Sequence, residues 1–122
     1  MVGGGWGDWW KEKQNNNELY ITAAEKGNFD DVRKLLSPEQ MLGMAAEVNY
    51  QDSEGWSALH YAASISHDEM TIFLLDSPDI EVNSRNNYQR TPFHLSCANG
   101  CVQVSRHLLA KGADPNLADD DD

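Results

Sequence analysis

Apolar residues recur along the chain in short clusters at helical spacing, each cut off by a glycine or a polar turn. Leu19, Tyr20, Ala23 and Ala24 share one face, Gly27 breaks the run, and Phe29, Val32, Leu35 and Leu36 form the next stripe. The arrangement returns twice. Leu59, Ala62 and Ala63 precede Met70, Phe73 and Leu74; further on, Phe93, Leu95, Cys97 and Ala98 precede Val102, Val104, Leu108 and Leu109. Between clusters lies turn chemistry rather than the period-two alternation of a strand, so the chain reads as all-α. Each stripe is too narrow for a free-standing bundle. Small residues at 23, 24, 62, 63 and 96–98 instead let neighbouring helices approach closely, as stacked helical units require.

Self-comparison makes the period explicit. Ala58–Ala63 reads A-L-H-Y-A-A and Pro92–Cys97 reads P-F-H-L-S-C, an offset of 34, and Leu74-Leu75 matches Leu108-Leu109. Upstream the same frame finds Ala23-Ala24 followed by Leu35-Leu36. The linking passages repeat as well. Val48 to His60 reads V-N-Y-Q-D-S-E-G-W-S-A-L-H, in which Asp52 to Gly55 suit a type I turn and Ser57 suits a helix N-cap. Val82 to His94 reads V-N-S-R-N-N-Y-Q-R-T-P-F-H, with Thr91 as N-cap and Pro92 as the first helical residue. Gly112 to Asn116, G-A-D-P-N, begins the passage again.

The S-A-L-H-Y-A-A, T-P-F-H-L-S-C and K-G-A-D-P-N phrases, in register, resemble the ankyrin repeat, with its ~33-residue period and T-P-L-H-x-A element. The resemblance covers residues 18–118. It implies a solenoid of stacked helix-turn-helix units joined by β-turn fingers, with repeats at 18–49, 50–83 and 84–116. Residues 1–17 form a Gly- and Trp-rich N-terminal extension, in which Asp8 is expected to cap a short helix through Lys13. That helix, bearing Trp6, Trp9 and Trp10, is expected to fold back over the apolar end of the first unit. The first unit has Glu18 to Ile21 in place of the T-P-L-H phrase, as a capping repeat often does. Its outgoing loop is long: Ser37-Pro38-Glu39-Gln40 predicts a capping box and an extra helical turn or two before Met44 to Ala46. Gln89 replaces the usual turn glycine. Residues 119–122 are an acidic tail or the start of a further repeat, and the need of a stack for a polar cap predicts that the chain is a segment of a longer protein.

A length of 122 residues accommodates one domain, and 40% apolar content suits a thin, elongated architecture. The formal net charge of -11 disfavours duplex nucleic acid or an anionic membrane as the main partner. Its distribution says more. Residues 35–84 hold nine acids and no Lys or Arg, whereas residues 85–113 hold Arg85, Arg90, Arg106 and Lys111 and no acid. An acidic second unit is therefore stacked on a basic third, which predicts a partner with complementary patches and an association rate that falls with salt. No run approaches the ~18 to 20 consecutive apolar residues of a membrane span. Cys97 and Cys101, without a signal-peptide pattern, suit a reducing compartment, the cytoplasm with the nucleus as the alternative.

Candidate chemistry is sparse. There is no G-x-S-x-G, Walker A, H-E-x-x-H or strand-following G-x-G-x-x-G, so no enzyme activity and no cofactor are expected. His94, Cys97, Cys101 and His107 make a Cys2His2 set, but their spacing lacks the C-x2-4-C pair of ordinary zinc sites, and no metal is expected. His60 and His94 occupy matching positions, where the resemblance implies hydrogen bonds to backbone groups between units; with Gly55, Pro92 and Gly112 they are the structural set. Asn49, Asn83 and Asn116 share a repeat-end position that resembles a hydroxylation site in some family members. Relatives of this family generally bind other proteins with turn tips and inner helices. Carried over by position, the exposed sites are Glu25 and Lys26 in the first unit, Gln51, Ser53, Glu54, Trp56, Ser64 and Ile65 in the second, and Arg85, Asn87, Tyr88, Arg90, Ala98 and Asn99 in the third. Trp56 and Tyr88 stand out, because turn tips need no large aromatic for folding and Trp, Tyr and Arg most often anchor interfaces. The function implied is a monomeric protein-interaction module whose partner is another protein, or a regulatory or targeting domain of a longer enzyme or channel.

Overall fold

The repeat pattern folds as its periodicity predicts. In a computed structural model that describes residues 9–117, the elements are α1 (Trp9–Glu25), α2 (Phe29–Leu36), α3 (Ala58–Ser64), α4 (Asp68–Leu75), α5 (Pro92–Ala98) and α6 (Val102–Ala110). The helices pair within units as α1 with α2, α3 with α4 and α5 with α6, while α1, α3 and α5 pack side by side as an inner layer and α4 lies on α6 in the outer one. Ala24, Ala62 and Ala63 are completely buried in the inner layer, where a larger side chain would hold the helices apart. Val32, Met70, Leu74, Val104 and Leu108 fill the space between layers. Phe29 joins the first two units through edge-to-face contacts at 5.6 Å with both His67 and Phe73.

Local chemistry sets the helix ends. Ser57 and Thr91 cap α3 and α5, each hydroxyl accepting from the backbone N–H of the histidine three residues on, and Pro92 opens α5. In α2, Asp30 and Asp31 occupy the first turn and Arg33 and Lys34 the last, complementing the helix dipole.

Two expectations need correction. The N-terminal extension is not a separate element folded back on the stack: from Trp9 it runs unbroken into the first inner helix, and Trp9 and Trp10 stay 55% and 54% exposed. Trp6, the Asp8 cap and the tail at 119–122 lie outside the described residues. The long first loop forms hydrogen-bonded turns at 38–43 and no helix. Ser37 Oγ accepts from Gln40 N at 3.4 Å, but Leu42 and Gly43 then adopt φ of 52° and 84°, which stops right-handed propagation. The apolar stripe of the third unit is only partly buried: Val102 is 60% and Leu109 46% exposed, and Cys97 is exposed. With Phe93 and Cys101 these residues line a groove of about 300 Å³. Their counterparts one repeat earlier, Leu59, Ala63 and Leu75, are covered by the third unit itself.

An asparagine ladder binds the loops of successive units. Asn17 Oδ1 accepts from Glu47 N at 2.7 Å, Asn49 Oδ1 from Glu81 N at 2.8 Å, and Asn83 Oδ1 from Asp114 N at 2.9 Å. The amides of Asn49 and Asn83 also donate to Asp79 O and Gly112 O. Asn16 donates to Met44 O and Tyr20 Oη to Val48 O, so the long first loop is tied to α1 despite its length. Burial raises the pKa of the Tyr20 phenol, keeping it a neutral donor.

Gln89 carries backbone strain, since its φ of 63° lies in the left-handed region that its counterpart Gly55 occupies at 81°. Gln89→Gly is expected to stabilise the chain by about 0.5–1 kcal/mol, the left-handed penalty less the extra entropy of an unfolded glycine. Urea unfolding checks this; an unchanged midpoint would show that the finger imposes no strain.

Candidate functional site

The edge formed by the fingers is built from two side chains that organise their own turns. Asp52 Oδ1 accepts from Glu54 N and Trp56 N, both at 3.0 Å, and Gly55 N donates to Asp52 O at 2.9 Å, which closes the expected turn. In the next finger Asn86 Oδ1 accepts from Tyr88 N at 2.9 Å and Arg90 N at 3.1 Å. The two differ in one respect. Asp52 Oδ2 accepts from the Tyr61 hydroxyl, whereas Asn86 Nδ2 is buried without a hydrogen-bond partner, because Leu95 stands where Tyr61 stands one repeat earlier.

The fingers are then laced together. Asn87 N donates to Glu54 O at 2.9 Å, Asn87 Nδ2 to Ser53 O at 3.0 Å, and Gln51 Nε2 reaches both Gly55 O at 2.7 Å and Arg85 O at 3.0 Å. On the inner helices Asn99 Nδ2 donates to Ser64 O at 2.9 Å. Beneath them, the buried His60 ring spans two units, with Nδ1 accepting from Ser57 N at 3.1 Å and Nε2 2.9 Å from Arg90 O. His94 repeats the arrangement, taking Thr91 N at 2.9 Å and placing Nε2 against Leu117 O.

These contacts divide the residues singled out from the sequence. Gln51, Asn87 and Asn99 commit their amides to neighbouring units, and Ser53 contributes a carbonyl. Glu54, Ile65, Arg85 and Tyr88 present side chains to solvent, Tyr88 being 52% and Ile65 44% exposed. Arg85 also donates to Gln89 Oε1 at 3.3 Å. Arg90 is half-buried, its carbonyl taken by His60. Trp56 is half-buried as well: its ring lies 4.8 Å from that of Tyr61 and 6.0 Å from that of His60. Tyr61, which sequence reasoning passed over as an ordinary repeat position, is thus central to the surface. Its signal was available in the pairing of an aromatic at 61 with an acid rather than an amide at 52.

The Tyr61 phenol has a raised pKa, first through burial, then through its hydrogen bond to Asp52 and the negative charges of Asp52, Glu25 and Glu54. The surface of the second unit is therefore acidic where it meets the first. The sign changes at Arg85. Lys111 and Asp76 form an ion pair at 3.4 Å across the second and third units, exposed and so worth only about 0–1 kcal/mol.

No group of three or more His, Cys, Asp or Glu side chains converges to hold a metal ion among the described residues. Of the Cys2His2 set, Cys97 is exposed, Cys101 is buried, and the His94 ring is engaged with backbone. Both thiols are free. No helix among the described residues is long and apolar enough to cross a membrane.

A family model described as "Ankyrin repeats (3 copies)" matches residues 13–119. Among similar proteins, the transient receptor potential cation channel subfamily A member 1 homolog of Caenorhabditis elegans is 36% identical over 75% of this chain and 7% of its own length. The human BCL-6 corepressor is 34% identical over 90% of this chain and 7% of its own. Protein phosphatase 1 regulatory subunit 27 of Mus musculus is 24% identical over 87% of this chain and 65% of its own. The chain thus spans a small fraction of the channel and the corepressor and about two thirds of the phosphatase subunit.

Proposed function

We propose, since this chain belongs to the ankyrin-repeat family, that it is a non-catalytic interaction module holding a partner protein against the edge formed by its fingers and inner helices. Ankyrin repeats generally bind proteins. The observation that carries the reading here is the use of the polar groups. The amides of Gln51, Asn87 and Asn99 lock the fingers and inner helices to one another, so that Trp56, Ile65 and Tyr88 are displayed on a preorganised support. Side chains held in place before binding lose less entropy when a partner docks.

Trp56→Ala and Tyr88→Ala test this, with affinity for a partner captured from a matched lysate and melting temperature measured on the same proteins. Tyr88→Ala is expected to weaken binding by more than about tenfold with little change in melting, because its ring is half exposed and makes no ring contact among the described residues. Trp56→Ala should lower both, given its contacts with Tyr61 and His60. Lost stability with intact affinity in both variants would sink the reading.

The similarity to short stretches of a channel and a corepressor supports a second reading, in which the same surface acts as the regulatory or targeting domain of a longer chain. Attaching this chain to such a partner activity and measuring whether Tyr88→Ala changes it separates the two. Free thiols at Cys97 and Cys101 support a reducing compartment, the cytoplasm or nucleus, for either reading.

A further inference from the structure

Where the first and second units meet, the binding edge carries an apolar patch whose rings are fixed. The Trp56 and Tyr61 rings lie 4.8 Å apart at a tilt of 37°, and the Tyr61 hydroxyl is held by Asp52, the same carboxylate that organises the finger. Ile65 lies one helical turn beyond Tyr61 and extends the exposed apolar face. The charges that act on the Tyr61 hydroxyl have one sign. Glu54 is in the Trp56 finger, Glu25 ends α1, which packs on α3, and with Asp52 both act on the Tyr61 hydroxyl. Neither Glu25 nor Glu54 makes an ion pair among the described residues, with the neighbouring Lys26 or any other base. From residue 35 to residue 84 the chain has no Lys or Arg at all.

We propose that this patch docks a partner segment that lays a lysine or arginine side chain over the Trp56 and Tyr61 rings, within reach of Glu25 and Glu54, and sets an apolar residue against Ile65. The inference rests on the reading of the finger edge as the binding surface and adds the chemistry of its occupant. Aromatic faces attract cations through their quadrupole, and unpaired carboxylates beside them favour the same ligand while repelling an acidic one. An uncharged apolar segment would fill the patch but leave both glutamates unanswered. The charge reversal at the exposed Arg85, one repeat on, sets the direction in which such a segment lies: its basic end over the second unit and any acidic residue about 10 Å away over the third.

The test follows the Trp56 indole N–H and the Ile65 methyl groups by NMR while the chain is titrated with acetylated Gly-Ser-Arg-Leu-Ser-Gly amide, and with the same peptide carrying citrulline or glutamate in place of arginine. The arginine peptide should shift both probes saturably, and the citrulline peptide should bind at least about fivefold more weakly, citrulline having the shape of arginine without its charge. Glu25→Gln combined with Glu54→Gln, exposed positions whose side chains make no hydrogen bond or ion pair among the described residues, should abolish that preference without moving the melting temperature. Equal binding of the arginine and citrulline peptides at Trp56 overturns the cationic occupant and leaves the surface assignment standing. Saturable shifts confined to residues away from the fingers and inner helices overturn both. Absence of a shift at Trp56 with about 10 mM arginine peptide also overturns the proposal, since an affinity weaker than that would add too little to a docked interface.

Discussion

Gly55→Ala should destabilise the chain by about 3 kcal/mol, well beyond the usual cost of alanine at a left-handed glycine. Gly55 has φ of 81°, and a Cβ there would lie 2.7 Å from Asn87 Oδ1, 2.8 Å from Asn87 N and 2.9 Å from Asn86 Cα. Two of the three atoms are backbone of the next finger, so rotation of a side chain cannot relieve the clash. Either the second finger or the third must move, and the movement breaks the bonds that cross between them, Asn87 N to Glu54 O, Asn87 Nδ2 to Ser53 O and Gln51 Nε2 to Arg85 O. Left-handed strain accounts for roughly 1–2 kcal/mol. The disrupted lacing adds about 1 kcal/mol per hydrogen bond where it is half-buried and less where it is exposed. Gly100 supplies the control: its φ is 69°, but an added Cβ meets nothing within 4 Å, so Gly100→Ala should cost the strain alone. Urea unfolding of both variants isolates the lacing between fingers as the difference. Equal losses would mean that the fingers are independent loops, and the preorganised edge on which the functional reading rests would go with them.

The lacing marks the boundary of what the residue pattern reveals. Helices, caps and period were legible because each depends on chemistry within a few residues: Ser57 and Thr91 cap their own helices, and Pro92 opens its own. Which groups reach across a repeat was expected from the resemblance only for His60 and His94; for the rest it depends on where two backbones lie after stacking. Asn49 and Asn83 were visible as a recurring position, but their use as rungs between loops, and the recruitment of Asn16 and Asn17 into the same ladder, follows only from the assembled helices. The N-terminal extension was misjudged for a related reason. Asparagine is a weak helix former, yet Asn16 and Asn17 find partners in the long loop, and those bonds offset the local cost of helix. At the finger edge Trp56 and Tyr88 were legible as candidate anchors, whereas the Trp56, Tyr61 and Asp52 constellation needed the packed rings to be seen.

His60→Ala is expected to cost about 3–4 kcal/mol at pH 7, from a cavity at a fully buried position and from two orphaned backbone groups in different units. The ring accepts from Ser57 N through Nδ1 and donates to Arg90 O through Nε2, so its neutral form with the proton on Nε2 satisfies both. Removing it leaves Ser57 N without its side-chain partner, although the Ser57 hydroxyl can still cap α3 through residue 60 N. Arg90 O has no comparable substitute. The corresponding change at His94 should cost less, because that residue is only half-buried and water can replace the ring. The loss at His60 also depends on pH. Burial lowers the His60 pKa, and the hydrogen bond to Arg90 O, the Asp52 charge and the Ser84 backbone offset this only in part. The folded state therefore holds the ring neutral in a range where the unfolded chain, near its ordinary value of about 6.5, is already protonated. Unfolding takes up a proton there, so stability must fall as pH drops below that value, until the folded-state pKa is passed. His60→Ala has no such group. The gap between wild type and variant should be widest and flat above about pH 7 and should narrow steadily toward pH 5. Denaturant unfolding of the two proteins across that range decides it: a gap that stays constant would mean that folding leaves the ring's affinity for a proton unchanged, and a gap that widens in acid would mean that the fold favours the protonated ring.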